Sequence, residues 1–464
     1  MTIEAYQNVV VGSGEPGKFI AWTLAKLGQK TAVVERCLIG GSCPNIACLP
    51  SKNVIHSAKV FSLLGHAAEF GAVTGPVKAD IARVHERKKE MIDGLIQLHL
   101  GFYKSSGAEL IMGEARFTES KTLQVTLNNG GERTLRGERV FLDVGSRASI
   151  PNTPGLVEAA PMTHVDALNL QRLPEHLVIL GGGYVGLEFA QAMRRFGSRV
   201  TILSRGRQLL DREDADSADA LLQLMKDEGI NVLLNAELEE VSGRSGNSVK
   251  IHARSAGATH SIGASDILVA TGRTPNTAGL GTEKAGVSLE ARGYIQVNDK
   301  LETTAPGVWA MGECAGSPQF THAAFDDFRV VRDNLAGKSR TTRNRLIPYC
   351  LFTDPELARV GLHEHEAQAK GIAYRLAKIP MSAVLRTRTL SETRGFMKAL
   401  VGEDDRVLGF TAFGVQAGEA MAAVQTAMLG GLSHAILRDA IFTHPTIAEG
   451  LGALFSAVPP LKEA

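Results

Sequence analysis

Two segments of the chain repeat one pattern of hydrophobic and polar positions. Each opens with an apolar run, breaks at a glycine turn, passes through a helix-forming stretch and closes on a second apolar run, which predicts strand, turn, helix, strand. The first reads Val9-Val10-Val11-Gly12-Ser13-Gly14-Glu15-Pro16-Gly17 and closes at Ala32-Val33-Val34-Glu35. The second reads Val178-Ile179-Leu180-Gly181-Gly182-Gly183-Tyr184-Val185-Gly186 and closes at Val200-Thr201-Ile202-Leu203-Ser204. Gly12 and Glu35 are as far apart in sequence as Gly181 and Ser204. Glycines in this context let the backbone approach a pyrophosphate, which rests on the helix N-terminus where unpaired amides and the dipole favour anions. The pattern predicts two Rossmann-like dinucleotide-binding units, with Gly12, Gly14 and Gly17 in one turn and Gly181, Gly183 and Gly186 in the other. Two tight strand-to-helix turns without a ligand are the plainer alternative.

The closing positions of the two units differ. Glu35 is a carboxylate suited to ribose hydroxyls, as in a dinucleotide without a 2′-phosphate. Its counterpart is Ser204, followed by Arg205 and Arg207, where the repulsive carboxylate is gone and forked donors fit a phosphate. The second unit is therefore expected to take NADPH in preference to NADH. A solvated arginine pair is the alternative, since Arg36 also follows Glu35.

Just downstream of the first turn lie Cys43 and Cys48, in Gly40-Gly41-Ser42-Cys43-Pro44-Asn45-Ile46-Ala47-Cys48-Leu49-Pro50-Ser51-Lys52. A disulfide needs Cα atoms about 4.4–6.8 Å apart, which this spacing cannot give on a regular helix. An irregular turn is expected, with Pro44 and Gly40-Gly41 as its causes. A close thiol pair beside a cofactor loop points to redox chemistry, with chance spacing as the alternative. No second pair and no nearby histidine stands at ligand spacing, so no metal centre is expected. Cys37, Cys314 and Cys350 are expected to be small buried residues without partners.

The chain has 464 residues, enough for about three domains. Its 50 basic and 49 acidic residues balance, which argues against nucleic acid or an anionic membrane as partner. The N-terminus lacks a basic region and a cleavage site, and no apolar run reaches membrane-spanning length, so a cytoplasmic location is expected.

With two dinucleotide units and a cysteine pair behind the first, the chain resembles the FAD-dependent pyridine nucleotide-disulfide oxidoreductases over its whole length. Ala270-Thr271-Gly272-Arg273 is similar to the family's crossover from the nicotinamide unit back to the flavin unit, placing Gly272 and Arg273 at the cofactor. Trp309-Ala310-Met311-Gly312-Glu313 is similar to the strand whose acidic end holds the flavin ribitol, with Glu313 where the family usually has Asp. Ala47 replaces the usual glycine before the second cysteine, and Glu15-Pro16 departs from the usual first turn, so Glu15 must point away from the phosphates. Phe325 to Asp333 and Leu437 to Pro445 look most like the reactive-chlorine-resistance flavoproteins that reduce hypothiocyanous acid; mercuric reductase is the neighbouring branch. The tail Pro459 to Ala464 has no cysteine pair to pass on a metal.

The resemblance implies an α/β fold in three parts: a flavin unit at 1–150 and 272–340, an inserted nicotinamide unit at 151–271, and an α+β interface domain at 341–464 that makes a homodimer. It implies electron flow from NADPH through FAD to a Cys43–Cys48 disulfide, with Cys48 as the thiolate beside the flavin and Cys43 as the interchange thiol. Lys52 and Glu188 would be the buried ion pair near the flavin, and Tyr184 the lid over it. His444, held by Glu449, would manage protons from across the dimer. Arg386, Thr387 and Arg388 would be a polar loop near the substrate entrance or a solvated cluster. The final acceptor would be a small oxidised sulfur compound or a reactive-chlorine-derived electrophile. Dihydrolipoamide dehydrogenase, a mercuric-reductase-like activity and a non-catalytic redox-sensing flavoprotein are the alternatives.

Overall fold

The computed structural model describes residues 2–461; the end of the tail, 462–464, lies outside the described residues. Strands Ile3–Val11 and Thr31–Glu35 pair in parallel, and Glu109–Glu119, Glu132–Leu142 and Val308–Ala310 extend the sheet with parallel pairings of their own. Thr122–Leu127 turns one end of it into an antiparallel meander. A second sheet, wholly parallel, runs in the order Asp266–Val269, His176–Leu180, Arg199–Leu203, Asn231–Leu233. Thr31–Glu35 and His176–Leu180 are buried at every position, as strands covered on both faces must be.

The third part is a five-stranded antiparallel sheet, in the order Tyr349–Leu351, Glu356–Gly361, Val407–Gly414, Phe396–Val401, Arg375–Pro380. Its Leu351, Leu357, Phe396 and Phe413 pack into one apolar cluster with Leu187, Phe189 and Met193 of the helix after the second glycine turn. Short strands Ser146–Ala148 and Arg273–Pro275 pair antiparallel, so the chain leaves the first nucleotide unit and returns to it side by side. Helix Ile81–Ser106 starts where the Asp80 carboxylate accepts from the Arg83 amide and stops at Gly107, whose φ is 80°. No described helix is long and apolar enough to cross a membrane.

Two expectations fail. Arg386, Thr387 and Arg388 lie not in a loop but in the helix Leu385–Thr389, where Thr387 is buried and its hydroxyl donates to Met381 O and Val384 O. Cys37 is exposed rather than buried, because Glu35 anchors its amide in a surface turn and the side chain projects outward; Cys350 is half-buried and Cys314 buried.

Candidate active site

Each parallel sheet delivers one glycine turn to a helix. Gly12 has φ 98°, and a Cβ there would lie 2.1 Å from Asp143 O; Gly181 has φ 115° and would meet Ala270 O at 2.3 Å. A side chain on Gly17 would strike Gly12 O, and one on Gly186 would strike Gly181 O. These four glycines bring strand and helix together. Gly14 is closely packed too, since a Cβ there would lie 2.5 Å from Asp143 Oδ2, whereas Gly183 is not. Both are the N-caps of helices, Glu15–Lys26 and Tyr184–Phe196, and bring no capping side chain of their own; in the first helix Asp143 accepts from the Gly17 amide. A Cβ on Gly183 would meet nothing within 4 Å, leaving an open cradle for an anion. Pro16 sits in the first helical turn, and Glu15 turns onto Lys18 at 2.7 Å.

The residues closing the two units are held differently. Glu35 accepts from Ser13 N and Ser13 Oγ, both at 2.8 Å, and from the Cys37 and Leu38 amides at 2.8 and 2.9 Å. Those bonds fill the carboxylate's lone pairs, so a ribose would have to share them. Ser204 is buried against Gly182, while Arg205 and Arg207 are exposed and form no ion pair with the described residues.

The thiol loop rests directly on the first turn. A Cβ on Gly41, where φ is 79°, would lie 2.4 Å from Gly14 Cα, so only glycine allows the approach. Asn45 Nδ2 donates to Ile39 O and Gly41 O and fixes the loop. Cys43 lies in a single helical turn, Ser42–Asn45, that breaks at Ile46 and Ala47; Cys48 opens the helix Cys48–Gly65. This is the irregular turn expected from the spacing. Cys48 Sγ lies 3.1 Å from Thr321 Oγ1. Its pKa is lowered, first by a hydrogen bond from Cys43 and then by Thr321 and the charge of Lys52, against an opposing push from burial. The Cys43 thiol is raised correspondingly, because it keeps the shared proton and is desolvated. These neighbours favour negative charge on Cys48.

One turn further along that helix, Lys52 Nζ meets Glu188 Oε1 and Oε2 at 3.0 and 2.8 Å. Glu188 Oε1 also accepts from Phe352 N at 3.0 Å, and Lys52 lies over the Phe352 ring. The pair thus ties the cysteine helix, the second nucleotide helix and the C-terminal sheet at one point. Tyr184 packs edge-on against Phe320 and Tyr349, with centroids at 6.2 and 5.8 Å. Gly272, with φ 134°, precedes Arg273, whose Nε donates to Glu313 Oε2 at 2.8 Å; Ser146 Oγ donates to the same oxygen. Gly312 N donates to the buried Asp327. The longer Glu313 therefore leaves one carboxylate oxygen free of Arg273 and Ser146.

His444 Nδ1 and Glu449 Oε2 are 2.8 Å apart, and the imidazole is 66% exposed on the C-terminal domain. Within one chain it touches neither cysteine. The fold thus assembles Cys43, Cys48, Lys52, Glu188 and Tyr184 at one locus, leaves His444 outward, and sets Ser204, Arg205 and Arg207 at the far end of the second turn. The sequence alone did not reveal Asp143, which accepts from Gly17 N at 2.9 Å, or Thr321. An acid ending the strand Glu132–Leu142 was the available signal for Asp143. Nothing local marks Thr321.

Residues 6–327 match the pyridine nucleotide-disulphide oxidoreductase family and residues 347–454 its dimerisation domain. A probable pyridine nucleotide-disulfide oxidoreductase, RclA, of Escherichia coli is 36% identical over 98% of this chain and 99% of its own. A solved structure described as the HOCl-induced flavoprotein disulfide reductase RclA of the same species superposes with a TM-score of 0.88, covering 98% of this chain and 100% of the other. Dihydrolipoyl dehydrogenase of Geobacillus stearothermophilus is 32% identical over 96% of this chain and 94% of its own. The chain belongs to the pyridine nucleotide-disulfide oxidoreductases, flavin enzymes that use FAD and NAD(P)H, and it carries their dimerisation domain.

Proposed function

We propose that this protein is a cytoplasmic homodimer that spends NADPH to reduce a small electrophile of oxidised sulfur or of reactive-chlorine origin, working through Cys43 and Cys48. The observation that carries the reading is geometric: Cys43 and Cys48 lie in the loop packed on the first glycine turn, with Thr321 at Cys48 Sγ and the Lys52–Glu188 pair one helical turn away. The flavin supplies the two-electron relay between nicotinamide and disulfide, with residues 1–150 and 272–340 as its unit, 151–271 as the nicotinamide unit and 341–464 at the dimer interface. The helix N-termini at Gly14 and Gly183 fit the pyrophosphates, Glu35 and Glu313 the ribose and ribitol of FAD, and Ser204, Arg205 and Arg207 a 2′-phosphate.

In the reduced protein, Cys43 gives up its proton and its sulfur attacks the electrophilic atom of the substrate, displacing the leaving group. The Cys48 thiolate, held by Thr321 and Lys52, then attacks Cys43 Sγ, forms the disulfide and expels the second fragment. His444 of the partner subunit, positioned by Glu449, takes the first proton and returns it to the departing group. Two electrons leave the thiols and two enter the substrate. The likeness to an HOCl-induced reductase favours the chlorine-derived class of acceptor over lipoamide.

A panel of acceptors tests this by NADPH consumption: hypothiocyanous acid, small disulfides, lipoamide and Hg²⁺. Turnover is expected with the first class, abolished in Cys43→Ser. Best turnover with lipoamide, or none with any acceptor, would overturn it.

A further inference from the structure

The start of helix Ala215–Asp227 meets the end of strand Glu356–Gly361, and three side chains there, Asp214, His363 and His365, converge as ligands with Glu213 beside them. His363 is 95% buried, and its Nδ1 makes no hydrogen bond of acceptable geometry, although the Glu366 amide approaches the ring as in a capping box. It faces Glu213 Oε2 at 3.8 Å and Asp214 Oδ1 at 4.0 Å. Glu213 Oε2 is also buried and without a partner, while its other oxygen accepts from Tyr349 OH at 2.5 Å. His365 Nδ1 lies 2.8 Å from Asp214 Oδ1, and its ring is tilted over that of His363 at 4.6 Å. Asp214, His363 and His365 each offer a ligand atom within 4.8 Å of the others.

We propose that Asp214, His363 and His365 bind one divalent ion of the borderline class, such as Zn²⁺, and draw in Glu213 as a fourth ligand. Nitrogen and oxygen ligands about 2.0–2.2 Å from a shared zinc lie about 3–4 Å apart across ordinary coordination angles. The 3.8 and 4.0 Å separations already fall in that range, and the shorter one opens by a small turn of the half-exposed His365. Two imidazoles and two carboxylates suit zinc, nickel or cobalt, whereas magnesium and calcium prefer oxygen alone.

The surrounding charge decides whether a cation is welcome. Lys398 donates to Asp214 and Asp216, Lys378 to Asp216, and Arg359 contacts His363 Nε2 and Tyr349 OH. Against these three cations stand five carboxylates: Glu213, Asp214, Asp216, Glu364 and Glu366. Counting the lysines, the arginine and the carboxylates, the cluster is short of positive charge. Binding at Nδ1 moves the ring proton of His363 to Nε2, so Arg359 must release His363 and remain on Tyr349. His365 likewise carries its proton on Nε2, towards solvent. Glu213 would then bridge the ion and Tyr349, as a carboxylate oriented by an outer hydrogen bond.

The test uses the full-length, FAD-loaded protein with Cys43→Ser and Cys48→Ser, which removes the competing dithiol, titrated with Zn²⁺ by calorimetry. One ion per chain is expected, and His365→Ala should weaken binding at least about tenfold. His365 is half-exposed, so its removal leaves the fold intact, and an unchanged melting temperature without metal checks this. Asp214→Asn should behave alike. No zinc bound by the parent, or equal affinity in His365→Ala, would overturn the site.

Discussion

Three neighbours act on the sulfur of Cys48: the Cys43 thiol, the Thr321 hydroxyl and the ammonium of Lys52. Because the folded pKa is lowered, the thiolate persists below the ordinary thiol range and disappears only as pH falls through the lowered value. Thr321→Val should raise the pH at which it is lost by about one unit, the worth of one hydrogen bond to a charged group. A pH titration of the long-wavelength thiolate-to-flavin absorbance in the two-electron-reduced protein measures this, and an unmoved midpoint would remove Thr321 from the account. The proposed preference for NADPH also rests on single residues. Ser204→Glu with Arg205→Ala should reverse the ratio of kcat/KM for NADPH over NADH; equal use of both by the parent would contradict the assignment. At this scale the sequence was informative where chemistry is local. Cys43 and Cys48 share one loop, and each glycine turn is a contiguous string. Thr321 stands 273 residues from Cys48, and Glu213 and His363 come together only when a helix and a distant sheet pack. No spacing in the chain encodes such meetings.

Among elements, the second glycine turn separates packing from binding. Gly186→Ala drives a methyl into Gly181 O at 2.2 Å and should cost about 1–3 kcal/mol of stability as overpacking. Gly183→Ala meets nothing in the protein. It should melt almost like the parent yet raise the KM for NADPH, since the methyl enters the space left for the pyrophosphate. Thermal melts with steady-state kinetics separate the two, and equal melting losses would show that Gly183 serves packing alone. The two nucleotide units were legible from sequence because buried parallel strands are apolar throughout. The helix Leu385–Thr389 was not, since five residues carrying two arginines have the composition of a solvated loop.

For the whole molecule, the outward position of His444 fits the proposal that the dimer is the unit of chemistry. His444→Ala should slow oxidation of the dithiol by disulfide substrates about 10²–10⁴-fold while flavin reduction by NADPH stays nearly unchanged. Glu449→Gln should fall between, because it loosens the ring without removing it. Stopped-flow of the two half-reactions checks both. Co-expressing Cys43→Ser with His444→Ala chains should restore activity that neither has alone, because each mixed dimer holds one complete site; no recovery would place the histidine's role within its own subunit.

The contact between Gly41 and Gly14 has a bearing on how the protein matures. The backbone that would cradle the cofactor's phosphates is also the floor on which the thiol loop lies, so one cannot shift without the other. A newly made chain that has not acquired its prosthetic group would keep both cysteines but hold them on an unsupported floor. Vitamin supply would then set the number of competent thiol pairs, and a riboflavin-starved cell would accumulate protein whose loop is open to proteases and to stray oxidation.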